Sequence, residues 1–405
     1  MHVDVMRWID HWVGVPLCFL LTLFGRPFRH RPTSEGKPRR ILFIELSEMG
    51  STILADPAMR KARDALGAEL FFVIFRRNAA SLAFLRTIPE ANIYTIRENS
   101  LFTLAIDTLG FLAWVRRAGI DTVIDLELFS RFTALLTGLS GAARRVGFYR
   151  FHNEGLYRGE MLTHRVAYNP HIHIAKNFIA LINALSAPLD QVPFSKTLIT
   201  DDETTIPQVA VSAQQKKDMR ERLTLLYPDY DPTRHRLALI NPNASDLLPQ
   251  RRWPHAHFAS LARMILATSP NMLVVITGSP DEAAEADRLK ALVADPRVIN
   301  FAGRQLLTEL PALYALAEVM ISNDSGPGHF AAVTAMPVVS LFGPETPALY
   351  GPLGRGKALF AGLACSPCVS AANHRKTACR DPLCMQALSA EAAFAATRPF
   401  LEPTS

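Results

Sequence analysis

Apolar positions along the chain fall into two kinds of run that alternate. Blocks of continuous apolar residues near 41–46, 69–75, 92–96, 121–126 and 144–148 predict strands. Stretches with helical spacing near 52–66, 78–87, 101–118 and 130–140 predict helices between them. Strands apolar on both faces belong in a parallel sheet covered by helices on either side. Residues 171–186 read as a closing helix, and the polar stretch 187–235 as a linker with an edge element. The pattern then restarts, with strands near 237–241, 272–277, 297–301, 319–322 and 337–342. Helices fit 254–268, 280–293, 306–317 and 327–335. Two βαβ series predict an α/β chain with two Rossmann-like, doubly wound domains facing a cleft, at 39–186 and 236–388, and a helical tail at 389–405. In such sheets ligands collect at the carboxyl ends of the strands.

Ahead of the first domain, residues 8–24 are mostly apolar, and no charge falls between Val13 and Phe24. A full membrane span needs ~20 apolar residues, and Pro16 interrupts this shorter run. Arg26, Arg29, Arg31, Lys37, Arg39 and Arg40 follow. An apolar helix with a basic flank suits anionic headgroups on a cytoplasmic face. Residues 1–38 are therefore expected to form a peripheral or monotopic anchor on the inner face of the cytoplasmic membrane, the alternative being a helix packed on the protein body. The overall charge supports this division. The chain carries +6, and residues 1–40 hold seven Lys/Arg against three Asp/Glu, a net of +4. That leaves +2 for the rest, so no basic groove for nucleic acid is expected.

Three strand–loop–helix junctions of the second domain carry candidate chemistry. In "ISNDSGPGHFAAVTAMPVVSLFG" a strand runs into Asn323, Asp324, Ser325, Gly326 and His329. Glycines let a backbone approach a ligand, and helix-end amides suit a pyrophosphate. Ser325 and His329 add donors, and Asp324 can accept from sugar hydroxyls; helix capping by Asp324 or Ser325 is the plainer role. In "LALINPNASDLLPQRRWPHAHFASLA" Asn243 and Ser245 stand at the strand end, and Arg251 and Arg252 precede Trp253–Pro254. An arginine there can neutralise a departing diphosphate. In "VVITGSPDEAAEA" Glu282 can bind a ribose diol or simply charge a helix start.

With "LSEMGSTILADPAMR", "LFGPETPALYGP" and "CSPC…CRDPLCM", these segments resemble glycosyltransferase family 9, the heptosyltransferase family, in the family's order from about residue 39 to 388. The resemblance implies the GT-B fold and inverting transfer of a sugar, usually heptose from ADP-heptose, to a glycolipid or core-oligosaccharide acceptor. It places Arg251 at the family's phosphate-binding lysine and Asp324, Ser325, Gly326 and His329 at the donor contacts. Asn243 and Ser245 join them, and Glu282 takes the ribose. No cofactor is required by this chemistry, and no acidic pair resembles a Mg²⁺ site. The family has an Asp after the loop glycine, Gly50, as catalytic base. Ser51 stands there instead, and a serine hydroxyl is not basic near neutral pH, so Glu48 is the expected base. Arg76, Arg144 and Arg145, with Arg77 and Arg150, are candidates for acceptor phosphates or carboxylates. Two other readings stand beside transfer: a donor-binding protein impaired in transfer, serving a membrane glycan complex, and a nonhydrolysing sugar-nucleotide epimerase.

Cys365, Cys368, Cys379 and Cys384 are spaced C-x2-C-x10-C-x4-C around His374. Structural zinc, disulfides and packed thiols all fit that spacing.

Overall fold

The computed structural model describes residues 3–25, 36–128, 130–152, 155–188, 191, 195–370, 373 and 375–402. The basic residues Arg26, Arg29 and Arg31, and His374 of the cysteine segment, lie outside the described residues. The chain divides into two compact units, Met1–Thr205 with Ala371–His374, and Ile206–Ser370 with Arg375–Ser405.

The first unit contains helices α1 (Val3–Trp12), α2 (Gly14–Gly25), α3 (Met49–Leu66), α4 (Leu101–Arg117), α5 (Arg131–Leu139) and α6 (Ile174–Asn183). Its strands are β1 (Arg40–Ile44), β2 (Glu69–Phe75), β3 (Ile93–Ile96), β4 (Thr122–Asp125), β5 (Arg144–Phe148) and β6 (His164–Val166). They pair in the order β3-β2-β1-β4-β5-β6, all parallel. This doubly wound order reverses direction between β1 and β4, which opens a crevice outside their carboxyl ends. The apolar runs explain the burial, since Ile41, Leu42, Phe43 and Ile44 are fully buried between the two helix layers. The segment expected as a helix at 78–87 is instead 3₁₀ turns over Arg76–Ala83. Strand β6 has three residues, too few for a sequence pattern to resolve.

The second unit repeats the plan. Its strands are β7 (Arg236–Asn241), β8 (Met272–Ile276), β9 (Val298–Asn300), β10 (Ala317–Asn323), β11 (Val338–Phe342) and β12 (Gly356–Phe360), paired as β12-β11-β10-β7-β8-β9, all parallel. The switch point lies between β7 and β10. The helices are α7 (Ala213–Leu226), α8 (His255–Leu266), α9 (Ala283–Val293), α10 (Leu310–Tyr314), α11 (Gly326–Phe330), α12 (Pro347–Tyr350), α13 (Leu383–Gln386) and α14 (Ala390–Leu401). Helix α7 falls in the stretch read as a linker. It starts at a capping box of Ser212 and Gln215 and buries only Met219 and Leu223, so its pattern is nearly all polar. The core of this unit gathers Trp253, Phe258, Leu261 and Ile265 against β7, β8 and α14.

Helices α1 and α2 run nearly end to end along the first unit, the Val13 N–H donating to Ile9 O at 2.9 Å and the Leu17 N–H to Val13 O at 3.2 Å across their junction. Asp10 Oδ1 accepts from the backbone N–H groups of Arg131 (2.8 Å) and Phe132 (2.9 Å), capping α5, and Oδ2 meets Arg131 Nη1 at 3.2 Å. Cys18 is buried, and Thr22 Oγ1 accepts from the Glu160 N–H at 2.9 Å. Asp10→Ala leaves the buried Arg131 guanidinium without its carboxylate and should weaken docking of the α1–α2 segment by about 2 kcal/mol. Hydrogen exchange should show residues 5–25 losing protection while β1, β2 and β4 keep theirs.

Candidate active site

In the second unit the two loops flanking the switch point are tied together by one buried side chain. Asn323, at the end of β10, accepts from Trp253 N–H through Oδ1 (3.0 Å) and donates to Pro242 O through Nδ2 (2.7 Å). The Trp253 indole donates to Leu388 O at 2.8 Å and packs on Phe258, so the loop after β7 is held at both ends. This brings Arg251 beside Asp324, Nη1 to Oδ2 3.5 Å, with Asp324 buried. Ser325 lies next to Ser322, hydroxyl to hydroxyl 3.1 Å, and Gly326 and His329 continue into α11. Asn243 is 3% exposed, and among the described residues neither Oδ1 nor Nδ2 has a hydrogen-bond partner; Arg251 Nε is likewise buried without one among them. A buried amide with both ends unmet costs several kcal/mol unless a bound group meets it, so the loop is built to receive polar atoms. Ser245 is exposed at the loop tip. Glu282 is engaged in a capping box, where its Oε2 accepts from the Ser279 N–H at 2.7 Å after β8.

Two further residues enter this cluster. Glu345, after β11, is buried with Oε1 lacking a partner and Oε2 3.6 Å from Arg375 Nε. Arg375 also donates to Tyr350 Oη and lies over its ring, 4.7 Å from the centroid. Burial, reinforced by Asp324 and opposed by Arg375 and Arg251, pushes the Glu345 carboxyl up to about 7. Near neutral pH this acid is then substantially protonated, and the pocket sets two arginines against little more than the single charge of Asp324. Such a balance favours a phosphate-bearing ligand.

In the first unit the equivalent crevice lies between the loops after β1 and β4. Glu48 is the N-cap of α3, and Ser51 Oγ donates to Glu48 Oε2 at 3.0 Å. Gly50 lies in the same first turn. From the loop after β4, Glu127 Oε1 accepts from Leu46 N–H (3.0 Å), Ser47 N–H (3.1 Å) and Ser47 Oγ (2.8 Å). Burial holds the Glu127 carboxyl above its ordinary range, with Asp125 and Glu48 adding to the effect. Asp56 is buried further along α3 and bonds Arg60 and Thr87, away from this loop.

The family comparison follows from these features. Residues 113–378 match the model of glycosyltransferase family 9 (heptosyltransferase). The chain belongs to this family. Over 150 residues it is 31% identical to lipopolysaccharide heptosyltransferase 2 of Salmonella typhimurium, a stretch covering 36% of this chain and 40% of that protein. Over 323 residues it is 22% identical to lipopolysaccharide heptosyltransferase 1 of Escherichia coli, covering 78% and 92%. The first curated relatives are thus matched over less than half of their own length. The structure of E. coli ADP-heptose lps heptosyltransferase II superposes with a TM-score of 0.66 at 19% identity, covering 89% of this chain and 98% of that one. The GT-B architecture expected from the sequence is therefore present.

Within this family 9 chain the expected acceptor arginines separate. Arg76 follows the carboxyl end of β2, where Asn78 Nδ2 donates to Leu46 O at 2.8 Å, on the same sheet end as Glu48. Arg144 and Arg145 open β5, paired with Thr122 and Val123, and so lie toward the amino end of the sheet. Arg145 is spent on the carbonyls of Met161 and Ala142, and Arg144 on that of Gly36. The structure therefore does not bring this pair to the crevice, because a strand's first residues face the opposite edge from its last. Arg150, beyond the end of β5, lies over the Tyr157 ring at 4.9 Å. Glu127, Glu345 and Arg375 went unnoticed in the sequence. The first two follow strand ends at β4 and β11, and that position was the available signal.

Cys365, Cys368, Cys379 and Cys384 are free thiols. Cys368 Sγ lies 3.4 Å from Thr377 Oγ1. Burial raises the Cys384 thiol pKa, with Cys368 and Cys379 adding to the effect. Among the described residues no three His, Cys, Asp or Glu side chains form a metal-holding group.

The Glu345 carboxyl predicts a pH signature. Its folded pKa of about 7 lies above the ordinary 4.5, so the folded state holds the extra proton. The associated stability is fully present below pH 4.5 and is lost as pH rises through 7. Thermal melts of wild type and Glu345→Gln should converge at low pH and diverge in favour of the variant up to pH ~7–8. A constant difference across that range would remove the shift.

Proposed function

We propose that this chain transfers a sugar, heptose carried on ADP, to a glycolipid of the lipopolysaccharide-core type on the cytoplasmic face of the inner membrane. The observation that carries the reading is the second unit's switch-point crevice, where Arg251 meets Asp324 and the loop after β7 also holds the unmet buried amide of Asn243. Family membership supports it, as does the likeness to the E. coli ADP-heptose lps heptosyltransferase II.

In this reading the second unit holds the donor. Arg251, with Ser325 and His329, takes the diphosphate; Asp324 accepts from sugar hydroxyls, and Asn243 meets the donor through its amide. Glu282, released from its cap, is placed for the ribose. The first unit holds the acceptor, with Gly50 at the loop and Arg76 and Arg150 toward its anionic groups. The acceptor hydroxyl oxygen attacks the anomeric carbon as the bond from that carbon to the diphosphate oxygen breaks. The electron pair leaves with ADP, and the hydroxyl proton passes to Glu48. Attack opposite the leaving group inverts the anomeric centre. The diphosphate charge is met by Arg251 and neighbouring donors, and no metal is assigned a step. Ser51 positions the Glu48 carboxylate in place of the aspartate that the family carries there. The apolar α1–α2 segment, a helical stretch over Val5–Gly25 long and apolar enough to cross a membrane, keeps the protein at the lipid surface. A second reading, a donor-binding protein impaired in transfer, is favoured by Ser51 itself.

Transfer from ADP-heptose to a core-type acceptor, with donor binding read separately, tests both. Glu48→Gln should lower kcat about 100-fold or more while leaving donor affinity unchanged. Ser51→Ala should lower kcat about 3–10-fold. Arg251→Ala should weaken donor binding at least about tenfold. Near-normal turnover by Glu48→Gln removes Glu48 as base; tight donor binding with no turnover by the wild type selects the second reading.

A further inference from the structure

The first unit has an apolar outer face that the donor and acceptor sites do not use. Helix α4 covers the sheet in the usual way on its inner side, where Phe111 and Val115 are buried. Its outer side is also apolar: Leu101, Phe102, Ile106 and Leu109 are exposed, Phe102 by 75% and Leu109 by 70%. A helix on the outside of a doubly wound sheet ordinarily turns charge toward water. Here the charges are Asp107, which is ion-paired with Arg97 at 2.7 Å, and Arg116 and Arg117 in the last turn. The apolar strip is also not isolated. Met6 of α1, Leu104 and Leu112 of α4 and Phe132 of α5 pack on one core cluster, and α1 and α4 each contact α5. Trp8 and Trp12 of α1 are exposed, and α2 carries no charged residue. Contiguous apolar surface of this kind marks an interface.

We infer that α4 is a second membrane-contact element, and that α1, α2 and α4 together lie in the headgroup region of an anionic bilayer. This rests on the membrane-facing reading above for α1–α2 and adds α4 to it. Lipid is the occupant the features favour. The Asp10, Cys18 and Thr22 contacts commit one flank of the α1–α2 helical segment to protein, so the docked segment lies along a surface rather than through it. Exposed tryptophans beside aliphatic side chains suit the headgroup boundary, and arginines at the end of α4 suit anionic lipids. The sequence immediately after α2 adds Arg26, Arg29 and Arg31. Two contact elements, set by one folded unit, also fix which way that unit faces the membrane.

Flotation of the full-length protein with vesicles of phosphatidylethanolamine and phosphatidylglycerol tests the inference. Phe102→Ser/Leu109→Ser should weaken vesicle partition about tenfold or more. Leu225→Ser, at a leucine of α7 that is 82% exposed, should leave partition unchanged. Arg116→Glu/Arg117→Glu should abolish the preference for phosphatidylglycerol over phosphatidylcholine while leaving the thermal melt intact. Transfer to a water-soluble core acceptor should be the same in the wild type and the Phe102/Leu109 variant. Loss of transfer in both therefore indicts the function, not the surface. The inference is overturned if the Phe102/Leu109 variant floats like the wild type. It is also overturned if the wild type is a dimer without lipid and the variant a monomer, because the face then belongs to a second copy.

Discussion

The second unit's chemistry depends on one buried amide. Asn323 ends β10 and bonds both to the carbonyl of Pro242 and to the N–H of Trp253. Those partners bracket the loop after β7. A parallel sheet whose strand order reverses leaves a crevice wherever neighbouring connections depart to opposite faces, and nothing in the ladder itself fixes the loops that border it. Asn323 supplies that fixing, and the buried Trp253 makes it rigid. Arg251 meets Asp324 as a consequence, with the buried Asn243 in the same loop as Arg251. In the first unit Glu127 plays the corresponding part, reaching from the loop after β4 to the amides of Leu46 and Ser47. One chain has thus solved the same topological problem twice, once with a neutral amide and once with a buried carboxylic acid.

That difference in chemistry matters. An amide beside a cluster of arginines leaves positive charge available to a diphosphate. The acids around the first crevice, Asp125, Glu127 and Glu48, give a site better suited to accepting a proton. Burial pushes Asp125 and Glu127 up, and Arg158, which bonds Asp125 and the Glu127 carbonyl, limits the repulsion between them. Ser51 belongs to this setting. In the position where the family resemblance places an aspartate, it donates to Glu48, and in the proposed reading the proton acceptor is that carboxylate, three residues earlier in the same loop.

The long, doubly buried strands were legible because continuous apolar runs such as 41–44 and 272–276 have no other use in a soluble α/β unit. The elements that escaped were those whose apolar signal is weak: β6 with three residues, β12 with a largely exposed face, and α7 with two buried side chains. The loops carrying Arg251, Asp324 and Glu48 were found from their place after strands. Arg144 and Arg145 open β5, so chain direction puts them toward the amino end of the parallel sheet, opposite the loops that border the crevice. Glu345 and Glu127 gave no charge pattern of their own. Their significance comes from burial, which sequence alone does not display for a single acid.

The central claim is that the Asn323-pinned crevice is a nucleoside-diphosphate site. Calorimetric titration of ADP into the full chain, wild type beside Asn323→Ala, tests it most directly. The account predicts one ADP bound per wild-type chain and at least about tenfold weaker binding by the variant, whose unpaired Trp253 N–H and Pro242 carbonyl release the Arg251 loop. A wild type that binds no ADP, or a variant that binds it equally tightly, would contradict the account.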